Sequence, residues 1–199
     1  MHSLPKLVIL GRDGILNVFR DDHVKAPNEW QPVPGALEAV ARLNHNGWHV
    51  VVATNQSGVG RGMIDMASVN AVHAHMMQRL AAVGGRIDAV FFCPHTPEDQ
   101  CDCRKPLPGL MSEIGRRYGI DLHHVPMVAD TLRDLQAAHA ANCQPHLLRA
   151  GRAAQFTDDQ VNEALAQVPG SQVHADLESF VEHLMRRHGA AGSGPGALQ

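Results

Sequence analysis

With 199 residues, 44% of them hydrophobic and 19% charged, the chain has the material for one domain with a substantial core. A formal net charge of -3 excludes the strongly basic balance expected of a nucleic-acid or anionic-membrane partner. No apolar stretch approaches the roughly 18 to 20 residues of a membrane span, and no signal-peptide pattern precedes the first apolar run. A cytoplasmic protein is expected, monomeric and with a small molecule as its partner.

The first apolar run, Leu7 to Leu10, predicts a short buried strand, and the polar turn Gly11-Arg12-Asp13-Gly14 follows at once. Asn17 to Gly35 holds three prolines and little periodicity, and predicts a loop. From Gly35 to Asn46 the residues Leu37, Val40, Ala41 and Leu43 share one helical face, and Gly47 ends the pattern. Trp48 to Ala53 predicts a second strand that runs into the polar loop Thr54-Asn55-Gln56-Ser57-Gly58. A helix is expected over Met66 to Val83, and a third strand over Ala89 to Cys93 with a cysteine-rich segment after it. Next come a helix over Gly109 to Tyr118, a strand over Val125 to Ala129 ending at Asp130, and a helix over Leu132 to Ala141. A short strand near His146 to Leu148, a helix from about Asp158 to Leu165 and a last helix over Leu177 to His188 complete a single domain over 1–188. The Gly/Ala/Ser/Pro-rich tail from Gly189 to Gln199 is expected to be disordered.

Strands alternating with helices predict a three-layer, Rossmann-like α/β fold, a mostly parallel sheet with helices on both faces. Right-handed crossovers then place every strand end on one edge, which gathers Asp13, Thr54 and Asp130 into one crevice.

Two constellations carry chemistry. Cys93, His95, Cys101 and Cys103 offer three thiolates and one imidazole within one short segment, a donor set that fits a closed, tetrahedral, structural Zn²⁺ site. Such an ion would brace Arg104 and Lys105, which follow directly. Those two cations, with Arg61 and with hydrogen-bond donors at Asn55 and Ser57, suit a phosphate. Asp13 and Asp130 suit a hard cation such as Mg²⁺. His73 with His75, and His123 with His124, also look like metal pairs, but all four are expected at solvated surface positions. Cys143 is expected to be a small buried residue and not a reactive thiol.

These residues resemble the motifs of the haloacid dehalogenase superfamily of phosphotransferases, and within it the D-glycero-D-manno-heptose 1,7-bisphosphate phosphatase family. Gly11-Arg12-Asp13-Gly14 lies on the first motif, Thr54-Asn55-Gln56-Ser57-Gly58 on the second, the Cys-x-His and Cys-x-Cys loop with Arg104-Lys105-Pro106 on the third, and Ala129-Asp130 with Asp134 on the fourth. The resemblance covers about Leu7 to Leu148. It implies a minimal cap, a zinc-binding loop, a sugar-phosphate substrate used in lipopolysaccharide heptose supply, and an aspartyl-phosphate mechanism. It further implies Asp13 as general acid and base, Thr54 and Lys105 on the transferring phosphoryl group, and Mg²⁺ held by Asp13 and Asp130. Asn55, Ser57, Arg61 and Arg104 would hold substrate. Histidinol-phosphate phosphatase has a similar zinc loop, and Ser57-Gly58 with Arg61-Gly62 leans toward the heptose family.

The chain departs from the family at two points. Gly11 stands at the nucleophile position, where an aspartate is expected, so neither nucleophilic attack nor a carboxylate for Mg²⁺ is available there. Ala129 stands where the family carries glycine. Two readings follow: a phosphatase disabled at one residue, or a pseudo-phosphatase that binds a sugar phosphate or a partner without turnover.

Overall fold

In the computed structural model the residues described are 6–190. Strand β1 is Leu7–Leu10, buried along its whole length, and strands β2 (His49–Asn55) and β3 (Ala89–Cys93) lie beyond it on one side. Strands β4 (Pro126–Ala129), β5 (Gln144–Leu148) and β6 (Gln172–His174) extend the other side. The sheet order is β3-β2-β1-β4-β5-β6 and every neighbouring pair is parallel. The order reverses direction at β1, which makes the crevice beyond the carboxyl ends of β1 and β4 the place where an open α/β sheet binds ligands.

Alternating side chains of the sheet feed two cores. Val8, Leu10, Val50 and Val52 pack against helices α1 (Ala36–His45) and α3 (Met66–Ala82) and against α7 (Leu177–Ala190). Leu7, Ile9, Val51, Ala53 and Met127 face the other way, onto α4 (Gly109–Tyr118) and α5 (Leu132–Ala140). Helix α6 (Asp158–Gln167) covers a third, smaller cluster in which the Ala129 methyl packs with Leu135 and Leu147. The Ala129 methyl is therefore accommodated as core.

Among the strands and α-helices of the described residues, two were absent from the sequence expectation. Ser57–Gly60 forms one helical turn, α2, where a loop is expected, and Gln172–His174 forms the edge strand β6. The span from Asn17 to Gly35 is more than a loop. Val24 and Trp30 are buried in the main core, Pro27–Glu29 is a 3-10 turn, and Asn17 bridges to Pro32. Helix α7 continues two residues past His188, and the remaining residues of the expected disordered tail lie outside the described residues. Among the described residues no helix is long and apolar enough to cross a membrane.

A histidine cluster sits where β5, β6 and α7 meet. His146 Nδ1 lies 2.9 Å from His174 Nε2, with His183 and Phe180 packed on them. Burial, with His174, His183 and Arg187 adding to it, pushes the His146 imidazole down to about 3; burial and then His183 and Arg186 push His174 down to about 4. Both are neutral in the native fold at neutral pH. The unfolded chain takes up these protons near the ordinary histidine value and the folded chain does not, so the stability is complete above about pH 6.5 and declines as pH falls toward 4. Urea midpoints measured between pH 7.5 and 4.5 should fall steadily, and His146→Leu should flatten that decline. A midpoint independent of pH over this window would show that the folded cluster takes up its protons as readily as the unfolded chain does.

Candidate active site

The carboxyl ends of β1, β2 and β4 open into a cleft lined by Gly11, Arg12, Asp13, Thr54, Lys105 and Arg152, among others. The packed loop after β1 closes over it with Phe19, Arg20, His23 and Val24. Asp13 is held from three sides. Its Oδ1 accepts from Arg12 Nη2 at 2.9 Å and from Asn17 Nδ2 at 3.0 Å, and its Oδ2 accepts from Gln56 Nε2 at 2.9 Å. Burial alone would raise this carboxyl, but the Arg12 guanidinium and the three hydrogen bonds outweigh it and hold Asp13 below the ordinary carboxylate range. The free site thus presents Asp13 ionised.

Gln56 also donates to Thr54 Oγ1 at 2.9 Å, so one amide fixes both a carboxylate and a hydroxyl of the cleft. Sequence reasoning gave Gln56 no role, although its place inside the second polar loop was a usable signal. Gly14 has φ +85°, and a Cβ there would overlap the Asp130 carboxylate. The glycine is what allows the first turn and the fourth strand end to meet.

Lys105 is buried, with Nζ donating to Ala53 O at 3.0 Å and pairing with Asp134 Oδ2 at 3.1 Å. Its main chain is clamped by Asn55, whose Oδ1 accepts from Lys105 N and whose Nδ2 donates to Lys105 O, both at 3.1 Å. Asn55 lines the cleft as expected for a substrate-binding group, yet its amide is already committed to positioning the third motif. Ser57 and Arg104 also line the cleft, and Arg104 Nη1 donates to His95 O at 3.2 Å. Arg61 does not. It follows the short helix α2 as its C-cap and its side chain is exposed, so the expected substrate contact is not made by the cleft as it stands.

Asp130 is fully buried, and the N-cap of α5 is the next residue, Thr131. Both Asp130 oxygens are occupied by Arg152: Nη2 reaches Oδ1 at 2.6 Å, while Nε and the backbone N–H reach Oδ2 at 2.9 Å each. Arg152 was not foreseen. It lies just after β5, in a Gly-Arg turn at a fifth strand end, which is the signal that could have found it.

Cys93, His95, Cys101 and Cys103 converge as expected, with their ligand atoms all within 4.8 Å of one another. Neighbouring sulfur and nitrogen atoms are 3.1 to 3.6 Å apart and form no disulfide. A thiolate-rich tetrahedral ion with bonds of about 2.3 Å has edges near 3.8 Å, so a metal would open this cluster only slightly. It is a candidate metal-binding cluster, set between β3 and the Arg104-Lys105 turn.

Of the histidines read as solvated pairs, His123 and His124 are exposed as expected. His73 is not: it is half-buried, with Nε2 3.2 Å from Arg12 Nη1, and burial together with Arg12 pushes it down to about 4. A neutral His73 therefore accepts from Arg12 and helps to aim it. His75 stacks edge-on against Trp30. Cys143 is buried, and burial pushes its thiol up to about 12, consistent with an inert packing residue.

A family model for haloacid dehalogenase-like hydrolases matches residues 4–142. The D-glycero-beta-D-manno-heptose-1,7-bisphosphate 7-phosphatase of Bordetella bronchiseptica is 49% identical over 184 residues, covering 91% of this chain and 98% of the relative. The enzyme of the same name from Pseudomonas aeruginosa is 47% identical over 180 residues, with 90% and 98% covered. Among solved structures, that of the D,D-heptose 1,7-bisphosphate phosphatase from B. bronchiseptica, complexed with magnesium and phosphate, superposes with a TM-score of 0.84, covering 92% of this chain and 99% of that one.

Proposed function

This chain belongs to the haloacid dehalogenase-like hydrolases, and on that premise we propose that its cleft serves D-glycero-D-manno-heptose 1,7-bisphosphate, as a phosphoric monoester hydrolase whose turnover is limited by Gly11. The observation that carries this is the convergence of Asp13, Thr54 and Lys105 on one cleft with Asp130 buried behind Arg152, in a chain that matches the heptose phosphatases over nine-tenths of its length.

Thr54 and Lys105 are placed to receive the transferring phosphoryl oxygens, while Arg104 and Arg133 line the cleft beside them. Seating a phosphate beside Asp13 raises its carboxyl toward the protonated form, which suits it to protonate the leaving sugar oxygen. The same carboxylate then serves as base toward water. Gly11 supplies no side chain for an aspartyl-phosphate, so the chain as written keeps the binding and the proton transfers and lacks the attacking group. The loop from Asn17 to Gly35 acts as the minimal cap. We place the reaction at the 7-phosphate of the β anomer, following the names of the relatives.

The donor chemistry for Mg²⁺ is present in the oxygens of Asp130 and Asp13, one carboxylate short at Gly11 and with Arg152 in competition for those oxygens. When bound, that ion neutralises phosphoryl charge. We assign zinc to the Cys93, His95, Cys101, Cys103 cluster, as a structural ion with no open position. Elemental analysis of purified protein should find one zinc per chain, and Cys103→Ser should lose it together with a drop in thermal midpoint. Full reactivity of three thiols with no bound metal would refute the assignment.

The substrate assignment is tested by calorimetric titration of the chain with heptose 1,7-bisphosphate and with histidinol phosphate. Tighter binding of the bisphosphate supports it, and a preference for histidinol phosphate would move the chain to the neighbouring family. Placement of Arg152 on Asp130 favours a binding role at this site independent of turnover.

A further inference from the structure

We propose that Arg152 is the resident cation of the phosphate site, so that the chain binds phosphate without a divalent ion and Mg²⁺ must compete with the guanidinium for Asp130. The proposal rests on the reading of this cleft as a phosphate site.

Three observations carry it. First, Arg152 is fixed by more than one contact. Its Nε and Nη2 form a fork on the two Asp130 oxygens at 2.9 and 2.6 Å, and its own backbone N–H adds a further bond at 2.9 Å. Its guanidinium carbon lies 4.6 Å from the centroid of the Phe19 ring, which stacks against it from the closing loop. A planar fork on a carboxylate, backed by an aromatic face, is the geometry in which arginine is held most firmly.

Second, the guanidinium binds the same oxygens a hard ion would need. Nη2 donates to Asp13 O at 3.1 Å as well as to Asp130 Oδ1. A Mg²⁺ ion requires such oxygens at about 2.0 to 2.1 Å in near-octahedral array. It would have to displace a bidentate ion pair, and Gly11 offers no carboxylate in compensation. The glycines at 14 and 151 tighten this arrangement, since a Cβ on either would collide with the Asp130 carboxylate.

Third, Arg152 faces the cleft. Its side chain is about a quarter exposed and lines the cleft with Thr54 and Lys105, whereas Asp130 is sealed behind it. Among the described residues its Nη1 has no hydrogen-bond partner. The guanidinium can therefore neutralise Asp130 and still present a donor and a positive charge to a phosphate oxygen, as a bridging divalent ion would. Unlike that ion it cannot dissociate, and it carries its charge at any accessible pH.

The test is calorimetric titration of the full chain with inorganic phosphate in buffer passed over a chelating resin, which leaves a tightly held thiolate-bound ion in place. Phosphate should bind in the absence of Mg²⁺, and its affinity should change less than about threefold when 5 mM Mg²⁺ is added. Arg152→Gln should weaken metal-free phosphate binding by about tenfold or more, make the remaining binding depend on Mg²⁺, and tighten Mg²⁺ binding itself. Arg152→Lys, which keeps the charge and loses the fork, should fall between the two. The proposal is overturned if the natural chain binds phosphate only with Mg²⁺, or if Arg152→Gln binds it equally well without. The Mg²⁺ series on the unaltered chain decides the matter even where Arg152→Gln fails to fold. Failure of the sugar-phosphate reading is separate, and would show as heptose 1,7-bisphosphate binding no better than inorganic phosphate to a chain whose phosphate binding is metal-independent.

Discussion

Gly11→Asp should raise phosphate release from heptose 1,7-bisphosphate by on the order of ten-thousandfold or more, since losing the nucleophile of a covalent hydrolase costs up to about a millionfold. The site is built to receive the change. Gly11 sits at the end of β1 with its N–H on Val128 O at 3.0 Å, and its backbone is outside the left-handed region reserved for glycine. A Cβ there would meet Ile15 Cγ1 at 3.2 Å and Val128 O at 3.6 Å, so the buried Ile15 must give by a few tenths of an ångström and no backbone atom is overlapped. Neighbouring residues Asp13, Thr54 and Lys105 are already held by Gln56, Arg12 and Asp134 independently of residue 11. The added carboxylate would also supply the missing oxygen ligand for Mg²⁺. Rates measured with and without Mg²⁺ check this. Equal turnover in both chains would show that the attacking group lies elsewhere in the cleft.

Asp134→Ala should cost about 3 to 5 kcal/mol of stability, the usual result of stripping the partner from a buried ion pair. Lys105 and Asp134 are each about 4% exposed at their side chains and 3.1 Å apart, so removing the carboxylate leaves a largely buried ammonium without its counter-charge. For a domain of this size the loss corresponds to a fall in thermal midpoint of roughly 6 to 20 °C. Pairing the change with Lys105→Met removes the orphaned charge, and the double variant should recover much of the loss. If the double variant is no more stable than Asp134→Ala, the defect lies in the start of α5 and not in the ion pair. Both variants can be compared by urea unfolding at pH 7.

Much of this architecture is legible in the chain because the sheet obeys simple patterns. Leu7 to Leu10 and Ala89 to Cys93 are short apolar runs ended by turn residues, and their bounds are the observed ones. The edge strand Gln172–His174 was not legible. It has three residues, all only partly buried, and an edge imposes no apolar alternation on so short a segment. Helix α2 was hidden by its two glycines, which read as loop and are instead small enough to pass Ile64 and Pro94.

The site residues were legible by type and less so by task. Asp13, Thr54, Lys105 and Asp130 could be gathered because a parallel sheet puts every strand end on one edge. Asn55 was read as a donor to ligand, and its amide is spent on Lys105, 50 residues away, a pairing no local pattern encodes. His73 was read as surface because helical periodicity does not reveal that an arginine from another element reaches it. Arg152 escaped notice for the same reason, as its carboxylate partner is 22 residues earlier.

The Asn55 amide extends the logic of the sheet beyond its last strand residue. Pairing of β2 with β3 ends at Asn55 opposite Cys93, and there the side chain offers one donor and one acceptor to the main chain of Lys105. It acts as one more rung of a ladder, made from a side chain. The lysine that lines the cleft is thereby held in register with β2 as a neighbouring strand would be, although it stands in a turn. A carboxylate in place of that amide would set oxygen against the Lys105 carbonyl and slip the rung.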